Sequence, residues 1–500
     1  MSLAAVDPRV ALGPSLAPGA GTAVVEMLDR LQPVVRVDPR AGEAAALAAA
    51  ALFSLVVRTH AHGLLDGDAP LGPNPWAVNR LSDLPERLRL CRPPAAASPD
   101  RELVIAVGPG SDTADLWVGG DDWTARVGHS PQPVGGRNGL GLQAAAVYGA
   151  AQVLKAALGS HLAHVPVGEL VWNLWDYRDQ PAPCMDRPDG RSLELVFFGS
   201  GSVGSSALGL IGCQAGLTGN AAIVDADTFD PQRNPFRYPA CTGTETGPKA
   251  EWTAGLLRAG GWEAQGYPLH AGEWVAARSE PGFDGIAVSS VDTVSGRLQV
   301  ADALASTTLS VGVSGTALHI QREHCFDEWA CPYCEFVSAP TPLSQAQVHQ
   351  QMTGLPLERV AQLHVSGDPL TTEDLARIVS AGKLHAERVG ELVGRRLGDL
   401  LQRIYAQAVV GGDPAQPGSG AVTAVSTPFV SWMGGVLVTA ELTKAAAGAP
   451  MVDRRVDLDL SGVPLGAVGR RSRDRSGCCT CHSPHRQRWA NRLYGGERGR

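Results

Sequence analysis

Five hundred residues, at about 150 per domain, leave room for two or three units with real cores and exclude a small cross-linked scaffold. A hydrophobic fraction of 44%, a charged fraction of 18%, and glycine and proline spread without a collagen period describe a globular chain. Forty-two basic against 50 acidic side chains leave a net charge of −8, so no global positive field favours nucleic acid or an anionic membrane as partner.

Residues 1–40, rich in Ala, Pro and Gly, read as a flexible arm, and the absence of a basic, then leucine-rich leader leads to the expectation of a cytoplasmic protein. Residues 41–180 read as an N-terminal α/β domain. Ala44–Val57 is a mostly alanine run too short for a bilayer and predicts a buried helix; Leu103–Val107 predicts a strand, and Leu140–Leu158 a helix rich in small residues. Gly108 after that strand reads as an ordinary turn. Pro181, Pro183 and Pro188 mark a linker, after which strand and helix patterns alternate over 190–335, as in a parallel sheet with crossover helices. Over 336–410 a helical insertion is expected. Thr371 and Asp374 form a capping box there, and an apolar stripe from Leu375 to Ile404 reads as a packing arm or dimer face. In the last segment, 421–500, Thr427, Pro428 and Gly448 bracket another helix.

The chemistry is concentrated after the linker. The strand Leu193–Phe198 runs into Gly199-Ser200-Gly201-Ser202-Val203-Gly204 and then an Ala/Leu/Gly helix, which is the setting in which a G-x-G-x-x-G loop holds phosphates on backbone N–H groups. Asp225 closes the next strand, where a carboxylate can take ribose hydroxyls. These features alone say nucleotide, with NAD as the first guess.

Downstream, Asp225-Ala-Asp227 leads to Arg233-Asn234-Pro235-Phe236-Arg237-Tyr238 and then Gly247-Pro248-Lys249. Asp292 and Arg297 follow a further short strand, and Cys-x-x-Cys pairs stand at Cys331/Cys334 and Cys478/Cys481. In this order the residues resemble the ThiF/MoeB and ubiquitin-activating enzyme superfamily, with one residue inserted before Asn234, proline at 235 for leucine, and Tyr238 for glutamine. The resemblance implies a Rossmann-like doubly wound α/β sheet as adenylation domain, completed by 421–500 with a zinc-binding segment.

It further implies ATP, Mg2+ and a structural Zn2+. Gly199, Gly201, Gly204, Asp225 and Asn234 would bind nucleotide, and Arg237, Lys249 and Asp292 would bind and act. Cys331, Cys334, Cys478 and Cys481 would hold zinc, Cys479 remaining an alternative to Cys478. The implied reaction activates a carboxylate, at the C-terminus of a ubiquitin-like or sulfur-carrier protein or a peptide, in a homodimer without nucleic acid or membrane partners. The first domain is expected to be a degenerate partner that docks the substrate. Alternatives are an NAD-dependent oxidoreductase or an inactive nucleotide-binding scaffold. Of the cysteines that could take over the acyl group, Cys241 and Cys325 lie nearest in order and Cys213 reads as core; a covalent step is not expected.

Overall fold

The computed structural model describes residues 9, 23–38, 40, 42–110, 113–136, 139–159, 169–183, 192–214, 216–279, 282–323, 334, 345–381, 389–390, 392–397, 400–401, 427–453, 455–460, 467–469 and 483–494. They divide into two compact units, one of Val25–Ser338 with Ser426–Arg500 and the other of Met1–Val24 with Ala339–Val425.

The larger unit holds two sheets. Helix α1 (Ala23–Arg30) runs into β1 (Leu31–Val37), which pairs in parallel with β2 (Leu64–Asp66) on one side and β3 (Arg101–Val107) on the other. The stretch read as an arm is therefore folded from Ala23 through Val37. Pro33 disguised the strand, since proline is unusual between two partners, but the short β1–β2 ladder covers only Val34–Arg36. Helix α2 (Gly42–Val57) has no polar face along its apolar run and packs against β1. β4 (Leu116–Gly120), β5 (Thr124–Gly128) and β6 (Leu170–Asn173) complete the sheet in the order β2-β1-β3-β4-β5-β6, and helix α3 (Leu140–Leu158) lies on β4 and β5. Gly141 makes that approach possible, because a Cβ there would stand 2.4 Å from the Thr124 backbone nitrogen.

The second sheet is built from β7 (Leu193–Phe198), α4 (Ser202–Cys213), β8 (Gly219–Val224), α5 (Lys249–Ala259), β9 (Glu263–Tyr267), α6 (Ala271–Ala276), β10 (Phe283–Ser289), α7 (Val294–Ala301), β11 (Ala305–Ser314) and β12 (Ala317–Glu323). After the insertion helices α8 (Gln345–Thr353), α9 (Leu357–Ser366) and α10 (Thr372–Ser380) come α11 (Pro428–Ala446), β13 (Arg455–Asp459), β14 (Ala467–Gly469) and α12 (Pro484–Tyr494). The order is β14-β13-β12-β11-β10-β7-β8-β9, with the five strands from β11 to β9 parallel and the rest antiparallel. Chain order thus reverses between β7 and β10, the switch point of a doubly wound sheet, where ligands bind at the carboxyl ends of the strands. The expected Rossmann-like class is the one observed.

Helix α11 joins the two sheets. It packs on β11 and β12, on α4 and on α3, so the sheets face each other across a helical layer. Two glycines let the helices touch: a Cβ on Gly435 would lie 2.8 Å from the Ala207 nitrogen, and one on Gly434 3.0 Å from a Val203 methyl. Trp432, fully buried, donates from Nε1 to Gln143 of α3 at 3.1 Å and stacks on Trp76 with centroids 5.8 Å apart. Glu441 is fully buried as well; it accepts from the Tyr177 hydroxyl, from Lys444 Nζ at 2.6 Å and from the Val452 amide.

In the smaller unit the capping box is present, with Thr371 Oγ1 accepting from the Asp374 amide at 3.1 Å. Leu375, Ile378, Leu392, Leu397 and Leu400 of the predicted stripe are buried together with Leu355, Val360, Leu363 and Leu370. The stripe is thus the insertion's own core instead of an arm awaiting a partner.

The fit of α11 against α4 predicts that Gly435→Ala forces the helices apart. The melting temperature of the larger unit should fall by several degrees, for roughly 1–3 kcal/mol of overpacking, in calorimetry.

Candidate functional site

The strand register brings the signature residues to one edge. Phe198, the last residue of β7, lies beside Val224 of β8 and Ser289 of β10, so Gly199, Asp225 and Ser290 leave the sheet side by side. Gly199 takes φ +95°, which favours glycine, and Ser290 Oγ donates to its carbonyl at 2.8 Å. Gly204 is glycine because a Cβ would meet the Gly199 carbonyl oxygen at 2.1 Å. Gly201 has no such internal reason. A Cβ there would meet nothing nearer than the Tyr238 hydroxyl at 3.9 Å, so its bare backbone faces space that a ligand can fill. Helix α4 starts directly behind it without a side-chain cap, its N–H groups directed to the same space.

Asp225 accepts from the amides of Ser200 at 2.5 Å and Asp227 at 2.8 Å, tying the glycine loop to the end of β8. Burial pushes its carboxyl above the ordinary value, and these amides with Lys249 hold it back. Lys249 opens α5. It is 7% exposed, its Nζ donates to Asp227 Oδ2 at 2.7 Å, and it lies 5.7 Å from the centre of the Tyr238 ring. Burial alone would lower its pKa, but Tyr238, Asp227 and Asp225 together raise it, so the ammonium stays charged. Tyr238, buried and stacked on Trp252, sits between the glycine loop and this lysine; the sequence presented it only as a departure from the family's glutamine.

Asn234 and Arg237 lie on a single helical turn, Asn234–Arg237. Asn234 is buried and accepts from the Asp230 amide at 2.7 Å, which shapes the turn, whereas the Arg237 side chain is exposed. The Arg237 carbonyl takes the Ser202 hydroxyl at the start of α4, so the turn is fixed to the N-terminal end of that helix. Asp292 is exposed on the loop after β10, just before Thr293 caps α7, and Arg297 Nε donates to the Val291 carbonyl at 3.1 Å.

Two cysteine readings are settled by burial. Cys241 is fully buried, and burial raises its thiol well above the usual range although Arg58 is near, so it does not present an activated thiolate. Cys213 is only partly buried on α4, where its thiol donates to the Gly209 carbonyl at 2.9 Å and desolvation pushes it up to about 12. Cys325, Cys331, Cys478, Cys479 and Cys481 lie outside the described residues, which leaves Cys334 as the described member of the expected zinc set. Among the described residues no three His, Cys, Asp or Glu side chains are grouped to hold a metal, and no helix is long and apolar enough to cross a membrane.

Residues that the sequence did not mark also reach this site. Arg58, Ser54 and Trp76 of the first domain donate to the carbonyls of Tyr238, Pro239 and Cys241. No local pattern announces them, for their partners lie 163 to 185 positions away.

No protein-family model matches the chain. A curated protein of Sinorhizobium fredii, "Uncharacterized protein y4jF", is 28% identical over 409 residues, covering 77% of each chain. Among solved structures, Escherichia coli MccB matches at a TM-score of 0.32 and 11% identity, over 58% of this chain and 65% of that one, just under two thirds of its length. The same protein solved as MccB + MccA-N7isoASN matches at 0.33 and 13%. At such scores the likeness bears on neither fold nor function, which rest on the strand order and the residues above.

Gly204 and Gly201 are expected to separate on mutation. Gly204→Ala should destabilise the larger unit, while Gly201→Ala should keep its stability within about 0.5 kcal/mol and weaken ATP about tenfold. Melting curves and calorimetric titration read the two effects; equal ATP affinity in Gly201→Ala would remove this residue from the phosphate path.

Proposed function

We propose that the protein activates a carboxylate by adenylation with MgATP. The observation that carries the reading is the meeting, at the switch point of the sheet, of a glycine loop open at Gly201 with two cations, the exposed Arg237 and the buried, charged Lys249. A hydride-transferring site has no need of such cations at its phosphate end. A site that accumulates charge between an α-phosphate and a departing pyrophosphate does.

In the reaction a carboxylate oxygen attacks the α-phosphorus. A C–O–P bond forms, the bond from the α-phosphorus to the bridging oxygen breaks, and pyrophosphate leaves with the electron pair. A C-terminal carboxyl of pKa about 3.5 is already ionised at neutral pH, so no general base is required. The work is alignment and charge neutralisation. The amides of the glycine loop and of α4 seat the phosphates, Asp225 takes the ribose, Lys249 and Arg237 offset the developing charge, and Asn234 holds the turn that carries Arg237. Asp292 would hold magnesium, which would add its charge to theirs. The carboxylate belongs to a small protein of the ubiquitin-like or sulfur-carrier kind or to a peptide, and zinc at the four cysteines would fasten the C-terminal segment.

The test is pyrophosphate exchange into ATP in the presence of substrate. Arg237→Ala, Lys249→Ala and Asp292→Ala should each reduce it about 10²- to 10³-fold with the fold intact, and undiminished exchange in all three would sink the reading. Because Cys241 is buried, the acyl-adenylate should pass to a separate nucleophile. Intact mass after incubation with ATP and substrate, without reductant, should then show no adduct that thiol removes.

A further inference from the structure

Arg58 follows α2 in the first domain, 1% exposed, and none of its described partners is a carboxylate. A buried guanidinium without a counter-charge is costly, so its hydrogen bonds have to be numerous and well placed. They divide between the loop after Arg237 and, at Ser54 and Cys91, the first domain itself. Nε donates to the Tyr238 carbonyl at 3.2 Å, Nη2 to the Cys241 carbonyl, and Nη1 to the carbonyl and hydroxyl of Ser54, each at 2.7 Å. The Ser54 hydroxyl in turn donates to the Pro239 carbonyl at 2.9 Å, which also accepts from Trp76 Nε1 at 2.9 Å. Carbonyls 238, 239 and 241 are therefore held by the first domain, immediately after Arg237. On the other side Ser202 holds the Arg237 carbonyl.

We infer that the first domain is a positioning device for Arg237: Arg58, Ser54 and Trp76 clamp the loop 238–241 from behind and so fix where the Arg237 guanidinium meets the triphosphate. This rests on the phosphate role of Arg237 given above. It assigns the first domain a task beyond substrate docking, and makes Arg58 a positioning residue that itself touches no substrate.

The full chain is titrated calorimetrically with magnesium and an ATP analogue carrying a methylene between the α- and β-phosphorus. Ser54→Ala and Trp76→Phe each remove one clamp donor, and Arg58→Lys keeps the charge but cannot span Tyr238, Cys241 and Ser54 together. Each should weaken the analogue about tenfold, and each should have no further effect when added to Arg237→Gln, because the positioned group is already gone. Melting temperatures accompany every titration. Equal weakening with and without Arg237 would mean a general structural loss and overturn the inference, as would unchanged affinity in all three variants. A wild-type chain that fails to bind the analogue would instead overturn the nucleotide reading on which it stands.

Discussion

The closeness of α11 to α4 is the constraint on which the rest of the larger unit hangs. Gly434 and Gly435 let the backbone of α11 come against Val203, Ser206 and Ala207 of α4, and α11 also packs on α3 of the first domain. Trp76 stacks on Trp432 of α11 and donates to the Pro239 carbonyl, so the place of α11 is felt at that loop. The loop beside the glycine turn thus takes its shape partly from how two helices pack elsewhere, because dense interiors transmit small displacements.

The polar centre of α11 serves the same end. Glu441 accepts from Tyr177, Lys444 and the Val452 amide, and Lys444 lies 4.5 Å from the centre of the Tyr177 ring. Burial pulls the Lys444 pKa down while Glu441 opposes it. Such a network gains little over an apolar core of equal volume, but it is satisfied in only one register of the helix, which is a use such groups have in other proteins.

What the sequence disclosed follows from how local each signal is. The glycine loop, Asp225 and the start of α5 were legible because backbone sterics and helix ends impose residue types within a few positions. Thr371 and Asp374 were legible for the same reason. The stripe from Leu375 onward declared an apolar face but not what covers it, since periodicity marks a buried side and leaves its partner open; the cover is Leu355, Val360 and Leu363. β1 was hidden by Pro33, and Arg58 at the end of an alanine helix looks like any solvated cation until the loop it holds is in place. Burial of Cys241 was invisible because the sequence does not show that Arg58 and Cys91 of the first domain lie against it.

The position of α11 in the chain bears on how the molecule assembles. α3 is complete by residue 158 and α4 by residue 213, yet the helix that covers both begins only at residue 428. During synthesis the first sheet and most of the second emerge with apolar helix faces still open to water, and the contacts that close them span more than two hundred residues. Closure of so long a loop is slow, and surfaces exposed in the interval invite association with other chains. The inserted helices, with a core of their own, can bury their apolar stripe before α11 leaves the ribosome, so that the delay does not add a third open surface.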